Sequence, residues 1–90
     1  WDKLISLQPR LSIAYFNKGN TLLEMQDYVE ALNAYSKAIE LDATLGEAYY
    51  NRGFVYLKIG NKKKGISDLS KAGELGVIPS YNLLKRLANH

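Results

Sequence analysis

The sequence predicts an all-α fold in which antiparallel helix pairs repeat along the chain as an α-solenoid. A shift of 34 positions places residues 14–19, AYFNKG, on residues 48–53, AYYNRG. Within a copy, apolar residues such as Tyr28, Ala31 and Tyr35 recur three and four positions apart, which is the spacing of one helix face. Since one helical hairpin cannot cover its own apolar face, such hairpins must stack to build a continuous core.

The 34-residue period also predicts where each helix lies. Apolar periodicity and turn residues place helical segments at about 1–8, 12–25, 28–41, 45–59, 62–75 and 80–89. Pro9 separates the first two of these segments. Gly19 and Gly53 occupy the same position inside two of them, where glycine costs about 1 kcal/mol relative to alanine. We therefore expect both glycines to lie where a neighbouring helix approaches closely.

Short polar patterns predict the helix starts. Asp27 and Asn61 precede second helices, where a side-chain oxygen accepts from free backbone N–H groups. Thr44 and Glu47 have the spacing of a capping box at the start of the next first helix. Ser80 is predicted as the N-cap of the last helix.

Composition excludes several classes of protein. The 90 residues include no cysteine, so the chain has no disulfide framework and no thiolate ligand or nucleophile. Twelve basic and nine acidic residues give a net charge of +3. This imbalance is small for a nucleic-acid binder, so we expect the chain to bind no nucleic acid. No apolar run approaches the roughly 20 residues of a membrane span, so membrane insertion is not expected. The sequence contains no targeting pattern; a soluble, cytoplasmic protein is the expectation, and the compartment stays open.

The residues at matched positions resemble the tetratricopeptide repeat, whose pattern combines aromatic, small and alanine positions over 34 residues. In the first copy the matching residues are Tyr15, Gly19, Leu22, Ala31, Tyr35 and Ala38. In the second copy they are Tyr49, Gly53, Tyr56, Leu69 and Ala72. Both copies differ from the pattern at two positions. The pattern's leucine is replaced by Lys18 and Arg52, and its proline by Ala43 and Val77. In the second copy Gly65 also replaces an alanine of the pattern. Residues 71–76 are also similar to Sel1-like repeats.

The resemblance implies a right-handed superhelix of about two full repeats with flanking helices. Residues 1–11 would end a preceding repeat, 12–45 and 46–79 would be repeats, and 80–90 would form a C-terminal capping helix. The resemblance further implies a non-catalytic scaffold or adaptor that binds a peptide or helix of a partner protein in a concave groove. The groove positions carried over are Ile13, Phe16, Asn17, Asn20, Leu23, Glu24, Glu47, Tyr50, Asn51, Phe54, Leu57 and Lys58, with Tyr81 and Lys85 added by the last helix.

Other interpretations of these residues remain open. The aromatic residues at groove positions, Phe16 and Tyr50, can instead pack against neighbouring helices. A carboxylate clamp for an acidic C-terminal tail would use Asn20, Asn51 and Lys85, but Phe16 stands where that clamp requires a lysine. The Lys run at residues 62–64 is either a contact for an acidic partner or a solvated surface.

A different function, self-association, uses the apolar edge at the start of the chain. Trp1, Leu4 and Leu7 would then stack on other repeats or on a second copy, giving a homo-oligomer.

The chain offers no arrangement of catalytic groups. Its one histidine, His90, is the last residue. The glutamates at positions 24, 30, 40, 47 and 74 fall on predicted solvent faces without clustering. No phosphate-binding loop or metal-ligand spacing is present, so we expect no catalytic residue, no metal and no cofactor.

Overall fold

The computed structural model describes residues 2–88, and it describes side chains from residue 10 onward. The helices are α1 (Asp2–Glu24), α2 (Tyr28–Leu41), α3 (Gly46–Lys58), α4 (Lys62–Glu74) and α5 (Ile78–Ala88). Within this part of the chain there is no strand. Helices α1 and α2 pack as one hairpin and α3 and α4 as the next, α2 contacts α3, and α5 packs on α4. The predicted all-α solenoid of helix pairs is confirmed.

The start of the chain differs from the prediction. A break after residue 8 was expected at Pro9, whereas α1 continues through it from Asp2 to Glu24. Proline lacks a backbone N–H and so omits one hydrogen bond, but its fixed φ lies close to the helical value, and the helix runs on through it. Trp1 lies outside the described residues, as do the side chains of Leu4 and Leu7.

Of the two N-caps predicted for the second helices, one makes the expected side-chain hydrogen bond and the other does not. Asn61 caps α4, and its side-chain oxygen accepts from the Lys64 backbone N–H at 3.2 Å, as predicted. Asp27 is the N-cap residue of α2, but its side chain makes no capping hydrogen bond. There the Asp27 backbone carbonyl accepts from the Ala31 N–H at 2.9 Å, which is the first intrahelical bond.

The predicted capping box at α3 is wrong. Leu45 is the N-cap residue, and no side chain caps the helix. Thr44 instead donates two hydrogen bonds to the Asp42 carboxylate, one from its backbone N–H (3.0 Å) and one from its hydroxyl (2.6 Å). This local turn competes with a cap and occupies the threonine before the helix begins.

Ser80 is also not an N-cap. Helix α5 begins at Ile78, with Pro79 in the first turn, where a missing N–H has no intrahelical partner to lose. Ser80 is buried, and its hydroxyl donates to the carbonyl oxygen of Leu69 in α4. Ser12 is buried in the same way and donates to the carbonyl oxygen of Ala38 at 2.8 Å. These hydroxyls tie first helices to second helices.

The core forms where the two hairpins meet. Ala31, Tyr35 and Val55 are fully buried, so the cluster joins α2 to α3. Partly buried apolar residues surround it: Phe16, Leu22, Leu23, Tyr28 and Leu32. The expectation for the two glycines is confirmed, because a Cβ on Gly19 would lie 2.6 Å from the Tyr35 ring and one on Gly53 would lie 2.9 Å from the carbonyl oxygen of Gly65.

Candidate functional site

A hydrogen-bonded network connects the first helices of the two hairpins. The Asn51 side-chain amide on α3 donates to the Asn20 side-chain oxygen on α1 at 2.8 Å. The hydroxyl of Tyr35 donates to the same oxygen at 2.6 Å. Burial raises the pKa of Tyr35 from 10.0 to about 12, and the Asn51 amide offsets part of that rise. The buried tyrosine is therefore a neutral donor that holds the Asn20 side chain, and Asn20 in turn holds Asn51.

The Asn20–Asn51 pair leaves two polar atoms without a protein partner among residues 10–88. An asparagine side chain carries two N–H donors and one carbonyl acceptor. Among residues 10–88, the network uses the Asn20 oxygen and one N–H of Asn51, and no protein partner takes the Asn20 amide nitrogen or the Asn51 oxygen. Both side chains are half-buried. Among residues 10–88, every buried side-chain nitrogen or oxygen atom has a hydrogen-bond partner. The Asn20 nitrogen and the Asn51 oxygen have none, so both atoms are exposed to solvent.

Aromatic rings flank this pair on α3. Phe54 is partly buried, and the Lys58 ammonium lies 5.3 Å from the centre of its ring. Tyr50 is likewise partly buried. Each ring therefore has an exposed part available for contact with an apolar group.

Three of the predicted groove residues make contacts within the hairpins. Phe16 packs on Tyr35, with ring centres 5.9 Å apart, and Leu23 also packs against the core cluster. Leu57 lies over Gly65 in α4, where an added Cβ would meet it at 2.8 Å. The packing interpretation thus holds in part for Phe16, and no lysine occupies its place for a carboxylate clamp.

The other predicted residues lie on the surface. Ile13 and Tyr81 are each about half exposed, and the Tyr81 ring covers Gly73 in α4. Asn17, Glu24, Glu47, Lys58 and Lys85 are exposed. Glu47 lies one turn before Asn51 on α3 and borders an open cleft of about 600 Å³ between residues 44–47 and residues 75–79. The structure therefore brings Asn20 and Asn51 together, places Phe54 and Lys58 in contact, and leaves α5 without a described contact to either group.

An ion pair at the α3–α4 packing surface was not predicted from the sequence. Arg52 donates through Nε and Nη2 to the two carboxylate oxygens of Asp68, at 2.7 and 2.8 Å. Its third nitrogen donates to the Ser36 hydroxyl in α2 at 3.3 Å. The hydrogen bonds to Asp68 raise the pKa of Arg52 above its usual value, against the opposing effect of burial. An arginine at a leucine position of the repeat was the sequence feature that could have indicated this pair.

Two further features concern the described residues alone. Among residues 2–88, no helix combines the length and apolar character that a membrane crossing requires. The same part of the chain contains no group of three or more His, Cys, Asp or Glu side chains placed to hold a metal ion.

Comparison with known proteins agrees with the geometry. A family model described as TPR repeat matches residues 19–60, and two described as tetratricopeptide repeat match residues 1–33 and 46–75. A solved structure titled "Crystal structure of MamA" is similar, with a TM-score of 0.79 and 27% identity over 81% of this chain and 44% of that one. This chain thus spans less than half of that structure. No curated protein matches significantly. The chain belongs to the tetratricopeptide-repeat family, whose repeats generally mediate protein–protein interactions.

Proposed function

We propose that this chain is a non-catalytic adaptor or scaffold segment that binds an extended peptide of a partner protein across α1 and α3. The observation that supports the proposal is the Asn20–Asn51 hydrogen bond, which joins the two helices and leaves one amide nitrogen and one carbonyl oxygen open to solvent. The predicted groove positions on these helices are the residues that the ligand would contact.

The chemistry of the asparagine pair suits a peptide backbone. An extended peptide presents a carbonyl oxygen and an N–H at each residue. The Asn20 amide nitrogen can donate to the carbonyl, and the Asn51 oxygen can accept from the N–H. Because Tyr35 and the mutual hydrogen bond already fix both side chains, little side-chain entropy is lost when a ligand binds.

Apolar contact would come from α3. The partly exposed rings of Tyr50 and Phe54 lie on the same helix as Asn51 and offer rigid apolar surfaces, which are the groups that contribute most at protein interfaces. Lys58 lies over the Phe54 ring, and its ammonium group can also meet an acidic residue of the ligand. We therefore expect a peptide with an apolar side chain followed or preceded by an acidic one.

The experiment compares partner capture by the full-length protein with capture by two variants. Replacement of Tyr50 and Phe54 by alanine should reduce capture strongly, and Asn51→Ala should reduce it by roughly tenfold or less, the effect of a few lost hydrogen bonds. The matched control is L11A/I78A, which removes two apolar side chains that are 48% and 64% exposed outside the proposed groove.

The readout is the set of proteins recovered from source-cell lysate, followed by titration of the identified partner's peptide. Circular dichroism must show equal helix content in all variants. Equal recovery by wild type and the Tyr50 and Phe54 double variant would reject the groove and would favour self-association as the role of this segment.

A further inference from the structure

The turns of the two hairpins carry opposite charges at aligned positions. Tip 1 is residues 24–30 and tip 2 is residues 58–64, and the two segments are 34 positions apart. Tip 1 contains three acidic residues and no basic one, namely Glu24, Asp27 and Glu30. Tip 2 contains four basic residues and no acidic one, namely Lys58, Lys62, Lys63 and Lys64. All seven of these side chains are exposed.

Among residues 10–88, these charges have no ion-pair partner. Among residues 10–88 the salt bridges are Lys37–Glu40, Arg52–Asp68 and Lys71–Glu74. Four of the seven tip charges oppose helix stability, because Glu24 lies in the last turn of α1 and Lys62, Lys63 and Lys64 lie in the first turn of α4. Glu30 in the first turn of α2 and Lys58 in the last turn of α3 have the favourable sign, so stabilisation of their own helices explains only part of the pattern.

Both tips also expose apolar side chains. Met25 and Val29 in tip 1 are 68% and 66% exposed, and Ile59 in tip 2 is 45% exposed. Met25 and Ile59 occupy aligned positions. Each tip thus presents an apolar side chain bordered by charges of a single sign, which is the composition of a small interface with a polar rim.

The two tips lie at the same edge of the solenoid. Helices α1 and α3 run in the same direction, since α2 is antiparallel to both, and Asn20 and Asn51 join them side by side. The turns that follow α1 and α3 are therefore neighbours, one hairpin apart. A surface that fits this edge must place a basic group opposite tip 1 and an acidic group opposite tip 2. The two groups must be as far apart as two neighbouring hairpins.

We propose that this surface is a second copy of the chain: tip 1 of each copy pairs with tip 2 of the other around a two-fold axis between the tips. A two-fold interface is self-complementary, so the rotation places acidic residues against basic residues at both ends. Met25 of one copy then lies near Ile59 of its partner. The pairing goes beyond peptide binding in the groove and does not depend on it. Because exposed ion pairs are screened by salt, the dimer is weak and sensitive to ionic strength.

The test uses two complementary charge variants of the full-length protein. D27K/E30K makes tip 1 positive, and K62E/K63E/K64E makes tip 2 negative; both leave the groove residues Glu24 and Lys58 unchanged. Each variant alone brings like charges together, and we expect its dimerisation at low salt to be roughly tenfold weaker than that of wild type. An equimolar mixture restores opposite charges at both ends and should recover dimerisation.

Sedimentation velocity at increasing concentration gives the dimerisation constants, at low salt and at about 1 M NaCl, where the Debye length is about 3 Å. The matched control E40K/E74K changes net charge as much as D27K/E30K does but at exposed sites away from the tips, and it should dimerise more strongly than D27K/E30K. Thermal unfolding establishes that every variant is folded.

Four outcomes would overturn the proposal: monomeric wild type at low salt, association that is insensitive to salt, equal weakening in E40K/E74K, or a mixture of folded variants that fails to dimerise. A loss of thermal stability in the tip variants with unchanged association would show instead that the tip charges act within one chain. None of these outcomes bears on peptide capture, so the two proposals fail separately.

Discussion

In the α1–α2 hairpin the close contact is between a glycine and an aromatic ring, whereas in the α3–α4 hairpin it is between two backbones. A Cβ on Gly19 would meet the Tyr35 ring at 2.6 Å. At the aligned positions of the second hairpin, Gly53 approaches the carbonyl oxygen of Gly65, and Leu69 replaces the tyrosine. The second hairpin thus buries a smaller side chain and brings its helices together through glycines.

The hairpins also differ in charge at a second aligned site. Arg52 pairs with Asp68 through two hydrogen bonds, and its guanidinium lies 5.6 Å from the Tyr49 ring centre and 5.9 Å from the Tyr56 ring centre. The aligned pair in the first hairpin is Lys18 and Ala34. A small cavity of about 110 Å³ occupies that place, lined by Tyr15, Lys18, Glu30, Asn33 and Ala34.

The comparison shows that one repeat geometry tolerates two sources of stability. The first hairpin depends on a buried aromatic residue with a hydrogen-bonded hydroxyl, while the second depends on an ion pair that also reaches Ser36 in α2. Substitutions that exchange or remove these features should have unequal effects in the two hairpins.

The largest effect is expected from Asp68→Ala. Asp68 is 6% exposed, and its removal leaves the largely buried Arg52 guanidinium without its carboxylate. Loss of one member of a buried pair should lower the free energy of unfolding by about 3 kcal/mol. Urea denaturation followed by circular dichroism measures the change.

The control restores the pattern of the first hairpin. R52K/D68A should be less destabilised than D68A, because a lysine ammonium can turn to solvent while its aliphatic chain stays packed. A change below about 1 kcal/mol in D68A would contradict the importance of the pair.

Alanine substitutions at the two aligned glycines should destabilise the fold to different extents, because Gly19 faces an aromatic ring and Gly53 faces a backbone. In G53A the added methyl group meets the backbone of α4, and the helices must move apart, which should reduce stability by about 2 kcal/mol. In G19A it meets the Tyr35 ring, which can tilt, and we expect about 1 kcal/mol. Both values include the helix propensity that alanine gains over glycine. Thermal unfolding ranks the two variants, and the reverse order would refute this distinction.

The next effect concerns the hydroxyl of Tyr35. Y35F removes one hydrogen bond to Asn20 and should reduce stability by about 1 kcal/mol at neutral pH. Burial raises the pKa of Tyr35 from 10.0 to about 12, so the folded chain holds this proton more tightly than the unfolded chain. The corresponding stability is complete below pH 10 and is lost as the pH rises toward 12.

Urea denaturation of wild type and Y35F across this pH range measures the difference. The gap in unfolding free energy between the two proteins should narrow as the pH rises. Y15F, which alters a partly exposed tyrosine of the same hairpin, is the control and should keep the alkaline decline that Tyr35 causes. A constant gap between wild type and Y35F would contradict the role of the buried hydroxyl.

The sequence predicted most of the fold and less of the site. The period, the helix pairs, the close contacts at Gly19 and Gly53 and the cap at Asn61 follow from local patterns, and each is present. The cap at Ser80 failed because its hydroxyl bonds a carbonyl group on another helix, which local pattern does not reveal. For the same reason the asparagines were predicted separately, and their mutual hydrogen bond across 31 positions was not foreseen.

The smallest net effect is expected when the ion pair is moved into the first hairpin. A34D alone should be destabilising, because Ala34 is 5% exposed and a carboxylate there would be desolvated. K18R alone should change little at an exposed site. In K18R/A34D the guanidinium can pair with the new carboxylate and stack on Tyr15, which is aligned with Tyr49. The free energy of unfolding of the double variant should therefore lie within about 1 kcal/mol of that of wild type.

A double-mutant cycle from urea denaturation should give a favourable coupling free energy of about 1 kcal/mol or more between the two substitutions. Additive effects would show that the aligned site in the first hairpin cannot hold the pair.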